Sequence, residues 1–198
     1  MQQAKIHKLY VYNRFMRERN IVTMAGQILG VIGWSGSGKT SLLEYLVGEL
    51  ITAGRKINVV KHSHHDVIIE PPQKDSSRLR LAGAQEVLLA SPYRYVIAHE
   101  LRQQAEPSLD ELLLRLAPAD LTLVEGYKWE AFPKIEVFRP SLGKPAIYLE
   151  DQHVLLVASD APAPEDLRPG LLWLDLNQPK RVLEWINIAM QNEILKKI

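Results

Sequence analysis

The chain has no cysteine among its 198 residues, which excludes disulfides and thiolate metal sites and leaves the redox compartment unmarked. It also lacks any apolar run near the roughly 18 residues that a bilayer span needs. Its N-terminus has no apolar stretch of the secretory kind. The default expectation is a cytoplasmic protein with no membrane partner. Charge of one sign is missing too: 24 basic residues face 23 acidic ones, a formal net charge of +1. Five of the basic residues (Lys5, Lys8, Arg14, Arg17 and Arg19) fall within residues 1–25 beside a single acid, Glu18, so the remainder is mildly acidic. Such a body offers no electrostatic footing for nucleic acid, and none is expected as a partner. A hydrophobic content of 46% and a charged content of 24% are ordinary for a globular domain. The length suits one domain with a core of its own.

What is present centres on Gly33, Trp34, Ser35, Gly36, Ser37, Gly38, Lys39 and Thr40, which read G-x-x-x-x-G-K-T. Ile28–Ile32 runs into this stretch as a buried strand would. Ser41 and the residues after it place Leu42, Leu46, Val47 and Leu50 on one helical face. Strand, glycine-rich loop and helix together specify a phosphate-binding loop. The glycines let successive main-chain N–H groups converge on phosphate oxygens at a helix N-terminus, whose dipole also favours negative charge. Lys39 is expected to reach the β- and γ-phosphates, and the Thr40 hydroxyl to hold Mg²⁺. A nucleoside triphosphate is the expected ligand.

Around this anchor the chain reads as an α/β fold of the P-loop NTPase type, three-layered, with a mostly parallel sheet and an antiparallel hairpin or edge. Residues 26–198 form the nucleotide-binding domain. Residues 1–25 stand apart as an extension, a loose tail or a start assigned upstream of a natural one at Met24. The first helix ends near Ala53-Gly54, and a second strand covers Lys56–Lys61. His62, His64, His65 and Asp66 follow that strand, in a loop that faces the ligand in an open parallel sheet. Imidazoles there suit Zn²⁺ or Ni²⁺, although the spacing matches no standard zinc site. A helix over 73–83 has Asp75 or Ser76 as its cap, and Asp75 is also a candidate second acid for Mg²⁺. Glu86–Ala90 and Tyr93–Ala98 read as a hairpin. A helix over Ser108–Ala117 is capped by Ser108. Leu121–Gly126 is an apolar strand ending in Glu125 and Gly126, the form of a Walker-B element. Glu125 is longer than the usual aspartate, which favours a water-mediated metal contact or orientation of the attacking water. Lys39 and Glu125 are therefore the catalytic candidates, and Thr40, Glu125 and Asp75 the metal candidates. Lys134–Arg139 alternates as a half-buried strand does, Val154–Asp160 and Leu171–Leu174 are further strands, and a closing helix covers 179–197.

In order along the chain stand WSGSGKT, VVKHSHHD, KDSSRLRLAGA, LTLVEGYK with PKIEVFRP, and HVLLVASDAP. Together they resemble the molybdopterin-guanine dinucleotide biosynthesis adaptor protein B family, MobB, over roughly residues 27–190. The resemblance implies GTP binding with Mg²⁺, weak GTPase activity and a homodimer. It further implies a helper role in molybdenum-cofactor maturation beside a guanylyltransferase, and contact with molybdopterin-bearing proteins. It assigns Asp75, Glu125, Gly126 and the loop of His62, His64, His65 and Asp66 to the family's site positions. The chain has no N-K-x-D guanine motif, so guanine rests on the resemblance alone. Trp34 occupies the loop's second position, where dimer-activated ATPases of related architecture carry a lysine. Neither a cis arginine finger nor a water-positioning glutamine is identifiable, hence the expectation of slow hydrolysis. The alternatives are a P-loop small-molecule or nucleotide kinase, which needs an arginine-bearing lid, and a metallochaperone that uses the histidine loop.

Overall fold

The computed structural model describes residues 26–63 and 65–198; the expectations for residues 1–25 and for His64 lie outside them. The described chain divides into two compact units. The first comprises residues up to His62 together with Ala117–Ile198, and the second comprises Ser63–Leu116.

The first unit is built on β1 (Gln27–Ile32), whose apolar run enters the glycine loop and then α1 (Lys39–Thr52). Leu42, Leu43, Leu46 and Leu50 of α1 are buried, each contributing about 2 kcal/mol by the area removed from water. Gly54, with φ +81, ends the helix in the left-handed conformation. Then β2 (Ile57–Lys61) returns parallel. The second unit supplies α2 (Asp75–Leu81), β3 (Glu86–Ala90), β4 (Tyr95–His99) and α3 (Leu109–Leu113). The first resumes with β5 (Leu121–Glu125), β6 (Lys134–Phe138), β7 (Val154–Ser159), β8 (Leu172–Asp175), α4 (Pro179–Gln191) and β9 (Lys196–Lys197).

The main sheet has the order β2-β5-β1-β6-β7-β8, all parallel. The short β9 runs antiparallel beside Gln27 and Ile28, the part of β1 that precedes its pairing with β6. One face carries α1 and α4, whose Leu46, Leu50, Val182 and Ile186 close over Leu29, Val31, Leu123, Ile135 and Leu156. On the other face Ile32, Val154 and Val157 meet Tyr148, Leu171, Phe138 and Trp173. A short 3₁₀ turn at Ile147–Leu149 covers this side.

Three expectations change. The hairpin forms as expected, with Leu88 opposite Ile97 and Ala90 opposite Tyr95, but β3 and β4 make a separate two-stranded sheet. The closing helix stops at Gln191, where Glu193 adopts φ +54 and turns the chain back into β9. Asp75 is the first residue of α2 rather than its cap, a position held by Lys74. Ser108 does cap α3, in a full capping box with Glu111.

The largest departure is in β6. Its alternating sequence suggests one wet face, yet Lys134 and Glu136 are both fully buried. Lys134 is satisfied by Asp151 at 2.5 Å. The Glu136 carboxylate accepts the main-chain N–H groups of Ile147 (2.9 Å) and Tyr148 (2.7 Å), which anchors the 3₁₀ turn on the sheet. Burial pushes the Glu136 carboxyl above the usual range, and the two N–H bonds only partly oppose it. A group with a raised folded pKa binds its proton more tightly when folded. Its stabilising contribution is therefore present at low pH and declines as pH rises from the ordinary glutamate range through the elevated pKa. Thermal unfolding followed against pH should show that decline, and Glu136→Gln should remove it. Glu136→Ala orphans two buried donors and should cost about 2–4 kcal/mol.

Candidate functional site

In an open parallel sheet, ligands bind at the carboxyl ends of the strands where the chain order diverges from a central strand. Here β1 is that strand, flanked by β5 and β6. The loop leaves β1 at Gly33, where φ is +141 and a Cβ would lie 2.4 Å from the Val137 carbonyl of β6. Only glycine fits there. Gly38, left-handed at φ 99, precedes α1. Among the described residues no side chain caps α1, and its first turn carries no acid, so its leading N–H groups stay open to an anion. Ser37 is 1% exposed, and its hydroxyl has no hydrogen-bond partner among the described residues. A buried donor in that state, beside an uncapped helix start, fits a bound phosphate.

The loop's carbonyls are engaged from outside. Arg139, just past β6, donates Nε to the Ser37 carbonyl at 2.9 Å and pairs with Asp160, just past β7. Lys39 Nζ donates to the Trp34 carbonyl at 2.9 Å. Burial lowers the Lys39 pKa; Glu125 opposes this, while Lys128 and Lys61 add to it. Glu125 closes β5 with a mostly buried carboxylate, 3.1 Å from Lys61 Nζ. His62 donates its main-chain N–H to the Glu125 carbonyl at 2.9 Å, and its ring lies 4.8 Å from that of Tyr127. Gly126, at φ +100, lets this approach occur, because a Cβ there would sit 2.8 Å from His62 Cβ. The structure thus gathers the loop, Lys39, Glu125, Gly126 and His62 at one edge of the sheet. Thr40 is exposed in the first turn of α1. Its hydroxyl and the Glu125 carboxylate are oxygen donors of the kind that suits Mg²⁺.

His65, Asp66 and Asp75 belong to the second unit. His65 forms a local turn, its N–H donating to the Ser63 hydroxyl at 3.1 Å. Asp75 is 94% exposed and lies 3.5 Å from Arg78. Among the described residues no group of three or more His, Cys, Asp or Glu side chains is placed to hold a metal ion. A cavity of about 380 Å³ lies at the opposite edge of the sheet, lined by residues that include Gln27, Arg55, Asp120 and Met190, and it touches none of these groups. Sequence reasoning missed Arg139 and Asp160 as loop supports. Both directly follow strands on the far side of β1 from Glu125, which is the one signal that points to them.

The model of the family "Molybdopterin guanine dinucleotide synthesis protein B" matches residues 28–160. The molybdopterin-guanine dinucleotide biosynthesis adapter protein of Escherichia coli K12 is 37% identical over 177 residues, which is 86% of this chain and 99% of that protein. Its namesake from Haemophilus influenzae is 39% identical over 170 residues, covering 84% and 92%. Among solved structures, a MobB homolog from Bacillus stearothermophilus superposes with TM-score 0.61 at 23% identity, covering 83% of this chain and 98% of that one. Bacillus subtilis MobB gives 0.62 at 21% identity, covering 86% and 98%. The structural likeness carries the P-loop α/β fold. The family match and the two close relatives carry the kinship: the chain belongs to the MobB family of molybdopterin-guanine dinucleotide biosynthesis proteins.

Proposed function

We propose that this protein is a GTP-binding adaptor in the biosynthesis of molybdopterin-guanine dinucleotide, with slow GTP hydrolysis and Mg²⁺ as its metal. The observation that carries the reading is the uncapped start of α1, with Lys39, Glu125 and a buried Ser37 hydroxyl that has no partner among the described residues, in a chain of this family. A guanine nucleotide is the chemically matched ligand, because the family's named product contains guanine. Lys39 would serve the terminal phosphates, and Thr40 and Glu125 would supply the protein oxygens near Mg²⁺, with Asp75 a further candidate. When bound, the ion supplies charge neutralisation between the β- and γ-phosphates. Glu125, 3.1 Å from Lys61 Nζ, would orient a water. His62, His64, His65 and Asp66 are read as a segment that faces the nucleotide or a partner.

The adaptor's partner in this reading is the guanylyltransferase that attaches GMP to molybdopterin, with molybdopterin-bearing proteins next, in the cytoplasm. Among the described residues no helix is long and apolar enough to cross a membrane. A homodimer is proposed through the second unit, because one face of the β3–β4 hairpin leaves Leu88, Tyr95 and Ile97 more than half exposed. Isolated two-stranded sheets are marginal in water, and such a face gains from a partner. The kinase alternative is not favoured by the relatives, and Arg139, the arginine beside the loop, is engaged with Ser37 and Asp160.

Calorimetric titration with Mg²⁺ should show GTP binding at least about tenfold tighter than ATP, or 1.4 kcal/mol, and Lys39→Ala should abolish both. Tighter ATP binding would return the kinase reading to the front. Because a polyanion raises the lowered Lys39 pKa, binding should draw protons from solution above that pKa. The apparent enthalpy should then shift between buffers of different ionisation enthalpy. Glu125→Gln should weaken GTP binding only a few-fold while slowing hydrolysis at least about tenfold. Sedimentation equilibrium should report a dimer that Leu88→Asp with Ile97→Glu converts to monomer.

A further inference from the structure

We infer that Lys128, seated on the indole of Trp34, is a further catalytic cation of the triphosphate site: it contacts the γ-phosphate and offsets the charge that grows as the bond to that phosphate breaks. The inference rests on the nucleotide reading above.

Trp34 is the second residue of the phosphate loop, and three contacts define its place. Its indole Nε1 donates to the Pro145 carbonyl at 2.7 Å, which fixes the ring. Its own carbonyl accepts Lys39 Nζ at 2.9 Å. Its ring lies beneath Lys128 Nζ, 4.0 Å from the centroid. One residue therefore holds two ammonium groups, one through its main chain and one through its π face. Lys39, the lysine expected to serve the terminal phosphates, and Lys128 thus converge on one residue of the loop.

The backbone is shaped to bring Lys128 there. After Glu125 come two consecutive residues at positive φ, Gly126 at 100 and Tyr127 at 49. For Tyr127 that conformation is strained. These two residues follow β5 directly, and the next residue, Lys128, has its Nζ over the Trp34 ring of the loop. Strain of this kind persists where the surrounding structure fixes it, and it concentrates at functional sites.

Charge argues the same way. Lys39 feels the charges of Glu125, Lys128 and Lys61, and Glu125 already pairs with Lys61. Lys39 and Lys128 both lie against Trp34 of the loop, and the first turn of α1 carries no acid. A ligand of several negative charges is the group that such a surplus stabilises. In hydrolysis the water oxygen forms a bond to the γ-phosphorus, and the water's proton passes to solvent. The bond from that phosphorus to the bridging oxygen breaks, with its electron pair staying on the β-phosphate. Negative charge grows on the bridging oxygen, where a positioned cation acts more strongly in the transition state than in the ground state. In other phosphoryl-transfer sites an arginine finger fills this position. Here Arg139 is engaged with Ser37 and Asp160, and the ammonium of Lys128 takes that role.

The test uses the full chain with Mg²⁺ and compares wild type, Lys128→Ala, Lys128→Arg, Trp34→Ala and Trp34→Phe. GTP and GDP affinities are read by calorimetry and hydrolysis by single-turnover assay. Lys128→Ala should leave GDP binding within about threefold, weaken GTP about tenfold, and slow the chemical step at least about thirtyfold. Trp34→Ala should reproduce most of that loss, while Trp34→Phe, which keeps a ring face, should restore part of it. A structural role alone would lower GTP and GDP affinity together and leave their ratio unchanged. An unchanged ratio with a wild-type single-turnover rate in Lys128→Ala overturns the proposal while leaving the nucleotide reading standing. Failure of the wild-type chain to bind either nucleotide overturns both, and the two failures are told apart by the wild-type titration alone.

Discussion

A loop that turns its main-chain N–H groups inward toward an anion must turn carbonyls outward, and those carbonyls need donors. Everything at the carboxyl edge of this sheet depends on that requirement. The Ser37 carbonyl is taken by Arg139, and the Trp34 carbonyl by Lys39. Arg139 is in turn held by Asp160. Three parallel strands thus stabilise one loop conformation: β1 leads into it, β6 delivers the guanidinium and β7 delivers the counter-ion. Pre-organisation of this sort removes an ordering cost from ligand binding. It is also the reason that a glycine is needed at position 33, where the loop touches the Val137 carbonyl of β6.

That arrangement places a demand on β6, which must sit beside β1 in one register. Burying Lys134 and Glu136 in such a strand is expensive unless each is satisfied. Lys134 finds Asp151, and Glu136 finds the N–H groups of Ile147 and Tyr148. These interactions do little for gross stability compared with an apolar pair of similar volume. They do specify which segment covers β6 and at what register, because a one-residue slip would leave two buried charges unmatched. The strand that supplies Arg139 is therefore fixed from its other end by groups that never meet the ligand.

What could be read from the sequence divides along the distance between partners. The strand, glycine loop and helix start and the Glu125-Gly126 strand end were legible as structure because they are consecutive residues whose backbone conformations are local requirements. Asp75, His65 and Asp66, raised as candidates from residue type and from the resemblance, fall in the second unit. The supports of the loop were not legible, since Arg139 lies about a hundred residues from Ser37 and no spacing in the sequence ties the two together. The alternation of β6 misled for the same reason: periodicity reports polarity, and polarity cannot reveal that a buried lysine meets an aspartate from a later turn. The hairpin was read correctly as a local object. Its separation from the main sheet is a tertiary fact that no pattern within 86–98 encodes.

The second unit is inserted in the chain between β2 and β5, the two strands that border the Walker-B side of β1. It departs at Ser63, one residue after His62, and His62 touches Gly126 through its Cβ side and the Glu125 carbonyl through its N–H. His62, the residue after β2, abuts the glycine after Glu125 and precedes the segment that carries the hairpin with its exposed Leu88, Tyr95 and Ile97. Gly126 leaves no room there for a side chain, so the turn after Glu125 and the backbone at His62 are closely packed. The left-handed backbone at Gly126 and Tyr127 is thus packed beside the residue at which the chain leaves the main sheet for the inserted unit.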